Sequence, residues 1–225
     1  MSNRYGPRIV TDQLYWYIDA ADRNSYPGTG TTVTNLTGTG NSAYFISGAT
    51  FSDDSGGKFV FANTNNQHMT SSPLGDVSSG FSISSFFYQS ALGSAIVQMY
   101  TGSSNYPLRI SVQDTYRVVF QTWTSTALYS SDNVINLNRW NQITCTCSGT
   151  SSDGGSTTCK TYINGELSVT GSRPMGTSMT YGFRIGRLNA DYFDGSIANL
   201  MVHKKELNDN EVLQNYNALK GRFGL

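Results

Sequence analysis

Cleaving a glycosidic bond takes two carboxyl groups flanking it, about 5–5.5 Å apart in retaining enzymes and about 6.5–9.5 Å in inverting ones. The chain holds three glutamates, Glu166, Glu206 and Glu211. They fall in a hairpin turn, a linker and a helix start, where each has an ordinary structural role, so no two can be placed as acid and base. Asp53-Asp54 and Asp191-x-x-Asp194 are close in sequence but read as loop carboxylates. A cysteine or serine nucleophile needs a nearby histidine base. The histidines are His68 and His203, and His203 stands where a strand runs out, so it reads as a surface residue. Gly28-Thr29-Gly30 and Gly38-Thr39-Gly40 lack the lysine and strand–helix setting of a phosphate loop and read as turns. What remains is recognition. A sugar site wants an exposed aromatic ring to stack on, with a few amides and carboxylates around it. Tyr26, Tyr106, Tyr129 and Tyr192, each beside polar residues, are the candidates. Such loops equally suit a protein interface, where tyrosine is enriched.

The elements that must position these groups are mostly strands. Leu14–Ile18 carries apolar side chains on both faces, which suits a central strand. In Phe81–Tyr88, Phe81, Ile83 and Phe87 share one face and Phe86 and Tyr88 the other. Further strands are expected at Lys58–Asn63, Ala95–Tyr100, Leu108–Val112, Tyr116–Trp123, Trp140–Cys145, Thr161–Ile163, Phe183–Arg187 and Gly195–Val202, each bounded by turn residues. Asp22–Gly40, Gly149–Thr157 and Met175–Met179 read as loop or turn. Trp140, Phe87 and Ile197 are expected in the core between two sheets. One helix follows over Asn208–Lys220: Asn208 is a plausible N-cap with Glu211 three residues on, Val212, Leu213, Tyr216 and Leu219 recur at helical spacing, and Gly221 sits where a terminating glycine belongs.

Composition narrows the partners. At 225 residues with 12% aromatics, the chain suits one domain with a real core, spanning residues 1–225. The formal net charge is zero, which argues against nucleic acid and against an anionic membrane surface. No apolar run approaches a membrane span, and the N-terminus lacks the apolar core of a signal peptide, so synthesis and folding in a cytoplasm are expected. Cys145, Cys147 and Cys159 are odd in number, which fits free half-buried thiols better than a disulfide framework. A hairpin centred near Asp153-Gly154 would nonetheless put Cys147 opposite Cys159.

Several stretches carry a family resemblance. Phe193-Asp194-Gly195-Ser196-Ile197 through Leu200 and Val202, followed by a linker and an acidic helix start, is similar to the last strand and helix of laminin-G-like domains. Those are two-sheet jelly rolls of the concanavalin A-like lectin/glucanase superfamily. The opening L-x-x-Y-I-D-A-A, N-S-Y-P-G-T-G-T-T and N-L-T-G-T-G-N resembles such domains in virion proteins of tailed bacteriophages, as does the ending N-Y-N-A-L-K-G-R-F-G-L. The F-S-I-S, W-N-x-I and Y-I-N-G-E-L segments match in the same order. Val33 stands where the family often has tryptophan, Asn35 where it tends to have aspartate, and Ala62-Asn63 where it has Asp-Gly.

The resemblance implies an all-β fold: a two-sheet antiparallel jelly-roll sandwich with one C-terminal surface helix. It implies a non-enzymatic phage virion protein that decorates the capsid or tail, with other virion proteins or further copies of itself as partners. The alternative is a carbohydrate-binding tail adhesin for a host-surface glycan; a glycan hydrolase is the remotest reading. No cofactor is expected. Calcium is raised because such domains often bind it, and Asp19, Asp191 and Asp194 are its candidates, although capping and turn roles account for them. In this fold the first and last strands tend to lie side by side. The arm Met1–Arg8 and the tail 221–225 should then emerge together, with Arg4, Tyr5, Arg8, Lys220, Arg222, Phe223 and Leu225 available for attachment to a neighbouring subunit. The competing reading is that Arg222-Phe223 closes over the domain's own sheet.

Overall fold

The computed structural model of the chain describes residues 7–99, 107–122, 127–150 and 152–225. Two antiparallel sheets of nine and eight strands face each other. The first runs Glu166–Met175, Gly155–Ile163, Trp140–Ser148, Gly80–Gln89, Gly195–Ile197, Lys58–Phe61 and Thr50–Ser52, with Asn199–His203 also pairing to Gly80–Gln89. Leu14–Asp19 lies antiparallel to Asn199–His203, so the first and last strands are neighbours as expected. The second sheet runs Ala127–Tyr129, Val118–Thr122, Leu108–Val112, Ala95–Met99, Ser178–Ile185, His68–Asp76, Ala43–Ile46 and Thr32–Val33. A short ribbon pairs Arg187–Leu188 with Asp191–Tyr192.

Alternation along each strand decides what lies between the sheets. Phe81, Ile83 and Phe87 point inward, as do Ile143, Cys145 and Cys147 across from them; Val97, Met99, Ile110, Phe120, Phe183 and Ile185 meet them from the second sheet. Ile197 and Phe87 are core residues, as read from the sequence. Trp140 is not. It pairs with Tyr88, on the outward face, and is half-buried there against Phe223 and Tyr88. The last strand also departs from simple alternation. It breaks at Ala198, whose N–H bonds to Phe86 O, while the Asn199 side-chain oxygen accepts from Phe86 N. The break shifts the parity, and Ile197, Leu200 and Val202 all reach the core.

The helix Asp209–Leu219 starts with a full capping box between Asn208 and Glu211. It does not end at Gly221: a 3-10 turn over Lys220–Phe223 prolongs it, and Gly224 takes the left-handed conformation. The helix covers the outer face of the first sheet, where Phe86 stacks with Tyr216 and Phe223. Asn164-Gly165 has positive φ at both positions and turns the hairpin that the sequence marks. Cys147 and Cys159 face each other across Trp140–Ser148 and Gly155–Ile163 and are joined as a disulfide, leaving Cys145 as the free, buried thiol; the expectation of three free thiols is corrected.

His203 is likewise not a surface residue. It is fully buried, because the N-terminal segment crosses it: Nε2 lies 2.9 Å from Val10 O, and Val10 N–H donates to Asn215 Oδ1 on the helix. Burial pushes its pKa down and outweighs the upward pull of the Val10 O hydrogen bond; Lys205 adds to the lowering, and Glu211 and Asp12 oppose it. Burial also lowers the pKa of His68, as do Arg187 and Arg184. Both histidines therefore bind protons more readily when unfolded, so their contribution is complete above the unfolded value of about 6.5 and shrinks as pH falls below it. The melting temperature should fall from neutral pH towards pH ~5, and less steeply in His203→Gln. A melting temperature independent of pH over that window would contradict the burial of both rings.

Candidate ligand-binding site

The outward-facing pair Tyr88 and Trp140 lines a cavity of about 470 Å3 on the first sheet. Their ring centroids are 6.0 Å apart at 66°. Four segments far apart in sequence build the pocket. Trp140 opens its strand and is backed by Phe223, centroid to centroid 4.5 Å. Tyr88 stands opposite it on the central strand. Lys58 and Val60 come from a strand beyond, and Asp194 and Ser196 flank Gly195. Gly195 is required here: its φ is +148°, and a Cβ would sit 2.0 Å from Tyr88 O. That close approach brings Asp194 and Ser196 beside the aromatic pair, and Ser90 N donates to Asp194 O to hold the turn.

The polar groups have uneven commitments. Lys58 Nζ lies 3.4 Å from Asp54 Oδ2, an exposed partner. The half-buried carboxylate of Asp194 has no hydrogen-bond or ion-pair partner among the described residues. Ring edges and faces, a carboxylate acceptor, an ammonium donor and the hydroxyls of Ser55, Ser90 and Ser196 meet in one cavity. That set suits a polyhydroxylated ligand with one apolar face. A cleft of about 630 Å3 between the helix and the Asn164-Gly165 hairpin is larger, but its one ring, Tyr216, is already stacked on Phe86.

The residues singled out from sequence scatter. Tyr26 is a correction: it is 5% exposed, packed among Phe45, Phe51 and Phe59, and its hydroxyl donates to Gly30 O, so it presents no ring to a ligand. Tyr129 is exposed under the Arg117 guanidinium, and Tyr192 lies under Arg187. Tyr106, Arg4 and Tyr5 lie outside the described residues. Among the described residues no group of three His, Cys, Asp or Glu side chains is placed to hold a metal. Asp191 is on the exposed ribbon, Asp194 lines the pocket, and Asp19 is 5% exposed with its Oδ1 2.6 Å from Arg222 Nη1. Arg222 also donates to Ser55 O and Gly57 O, and Phe223 is buried on Phe86 and Trp140. For Arg222-Phe223 the competing reading is the correct one: these two residues close over the domain's own sheet. Arg8 and Leu225 remain exposed, and Lys220 lies over the Tyr216 ring. Glu206 pairs with Lys160, Glu211 with Lys205, and Glu166 is exposed on the hairpin.

A sequence profile of laminin-G type, described as the concanavalin A-like lectin/glucanases superfamily, matches residues 62–213. No curated protein sequence matches the chain. Solved structures share the fold at low identity. Domain 4 of a GH43 extracellular arabinanase from Geobacillus stearothermophilus, solved with arabinotriose, has a TM-score of 0.65 and 17% identity over 91% of this chain and 98% of that one. The binding domain of botulinum neurotoxin serotype G gives 0.67 and 17% over 90% of this chain, which spans 50% of that one. The binding domain of Paraclostridial Mosquitocidal Protein 1 gives 0.68 and 16% over 92%, again spanning about half, 52%, of the other chain.

Proposed function

Since the chain belongs to the concanavalin A-like lectin/glucanases superfamily, we propose that it is a non-enzymatic binding module whose ligand is a neutral saccharide held in the Trp140–Tyr88 pocket. The observation that carries this reading is the unpartnered Asp194 carboxylate beside two outward aromatic rings. A pyranose stacks its C–H face on an aromatic ring and offers paired hydroxyls to a carboxylate. The arabinanase domain was solved with a trisaccharide, and the toxin domains are binding domains, which supports a binding role for this sandwich. Glu206 and Glu211 are each tied to a lysine, which speaks against their serving as an acid–base pair.

The test is a titration with a panel of neutral oligosaccharides, followed by calorimetry and by product analysis. Asp194→Ala should bind at least about tenfold more weakly, the worth of a hydrogen bond to a charged group, with an unchanged melting temperature and no turnover in either protein. Equal affinity of parent and variant for every saccharide bound, or no binding at all, would contradict the reading.

We place the module on the particle of a tailed phage. The ending N-Y-N-A-L-K-G-R-F-G-L, similar to that of phage virion domains, favours this setting. A stained gel of purified particles checks it: many copies per particle fit capsid decoration, a few fit a tail adhesin, and absence from the particle overturns it.

A further inference from the structure

Two walls of the Trp140–Tyr88 pocket lead back to one short turn after the helix, Lys220–Phe223. The first wall is the loop 53–57, which closes the hairpin between the edge strand Thr50–Ser52 and Lys58–Phe61. It gives the pocket Ser55, and its Asp54 carboxylate holds the Lys58 ammonium at 3.4 Å. The second wall is the Trp140 indole.

The loop has little to hold it from within. Three successive residues have positive φ: Ser55 at 55°, Gly56 at 77° and Gly57 at 116°. A serine adopts that conformation rarely, and a residue so placed persists where its surroundings fix it. Residues 53–56 are exposed, and one backbone bond closes the turn, from Gly57 N to Asp54 O at 3.1 Å. Among the described residues, the side-chain donors that reach the loop carbonyls from elsewhere in the fold belong to Arg222. Its Nε donates to Ser55 O at 3.2 Å and its Nη2 to Gly57 O. The third nitrogen, Nη1, is pinned 2.6 Å from Asp19 Oδ1 on the first strand. With one corner of the planar fork anchored there, the other two nitrogens are aimed at the loop. Phe223 follows directly, buried with its ring 4.5 Å from Trp140 and 4.6 Å from Phe86, centroid to centroid.

We propose that Arg222 and Phe223 are the positioning residues of this pocket: Arg222 sets the loop that carries Ser55 and orients Lys58, and Phe223 sets the indole. The inference takes its ligand from the saccharide reading of the pocket; the ordering of the walls does not depend on it. A saccharide that met a loose loop would have to order it on binding, which weakens affinity, whereas a loop held in advance spares that cost.

The experiment measures backbone order parameters of residues 54–57 in the ligand-free protein, then titrates arabinotriose, maltotriose and cellotriose. The parent loop should be close to the rigid value of about 0.85. The double variant Asp19→Asn with Arg222→Met removes both loop donors and leaves no buried charge unpaired. Its loop should fall below about 0.6, with the Trp140 indole N–H signal in place. Phe223→Leu should do the reverse, moving that signal while the loop keeps the parent's order. A destabilised fold would move both together. Should the double variant not fold, Arg222→Lys keeps a charge opposite Asp19 but lacks the fork that spans both carbonyls, and its loop should loosen in the same way. For any of the three sugars that binds the parent, affinity should fall at least about tenfold in the loosened variant, the scale of one charge-assisted hydrogen bond. The proposal is overturned by a loop already mobile in the parent, by one equally ordered without the arginine, or by an indole signal indifferent to Phe223→Leu. Parent-like affinity in a variant with a loosened loop overturns it too. If no sugar binds the parent, the saccharide reading fails, and the order parameters and the indole signal still decide what holds the walls.

Discussion

Arg222→Met is expected to lower the stability of the domain by about 3–5 kcal/mol, the cost of breaking a buried ion pair from one side. The pair is Arg222 Nη1 to Asp19 Oδ1 at 2.6 Å, with side-chain exposures of 15% and 7%. Asp19 also accepts from the Tyr17 hydroxyl at 2.7 Å and Ala21 N at 2.9 Å, which holds its carboxylate in place inside the fold. Without the guanidinium that charge stays buried and unmatched. For a domain of this size the loss should appear as a fall in melting temperature of roughly 10 °C. Asp19→Asn combined with Arg222→Met should recover much of it, because removing both charges leaves nothing unpaired. A fall of two degrees or less in the single variant would return Arg222 to the role of a free attachment residue.

The second large effect concerns the cysteines. Reducing the Cys147–Cys159 bond, or replacing both residues with serine, is expected to cost about 3 kcal/mol, as for a closed loop of some fifteen residues; the observed separation is 12. Denatured but unreduced protein should show one reactive thiol, Cys145, and native protein none, because that thiol is buried and its pKa is pushed up by desolvation. Three reactive thiols in the unreduced protein would contradict the pairing.

The fold was legible where one physical rule dominates. Alternation of Phe81, Ile83 and Phe87 marks a central strand, Asn164-Gly165 marks a hairpin, and Asn208 with Glu211 marks a helix start; each matches the structure. His68–Asp76 was missed because its polar run, Ser71-Ser72-Pro73, gives no apolar period to read. Glu166–Met175 extends far past the hairpin turn as a mostly exposed edge strand, again without an apolar face. Trp140 reads as a core residue together with Phe87 and Ile197; its parity with outward Tyr88 is the signal that decides otherwise. His203 reads as exposed only until Val10 is laid across it, a contact of sequence separation 193.

The binding pocket was legible only in its parts. Lys58, Tyr88, Trp140 and Asp194 have no spacing that marks a motif, since strands distant in the chain bring them together. By sequence Asp194 reads as a cation candidate and Trp140 as core, and their meeting depends on Gly195 passing against Tyr88. A composition rich in tyrosine pointed towards recognition, yet Tyr26 proved to be core and the platform came from Trp140 and Tyr88.

The central claim is that a saccharide stacks at Trp140, and the indole N–H signals of the folded protein test it most directly. Trp16 is fully buried with its indole N–H bound to Asn41 O, so it serves as an internal reference. Titration with a saccharide that binds should move the Trp140 signal in proportion to occupancy and leave that of Trp16 in place. In Asp194→Ala the same shift should require at least about tenfold more saccharide. A bound saccharide that leaves the Trp140 signal unmoved would contradict the account.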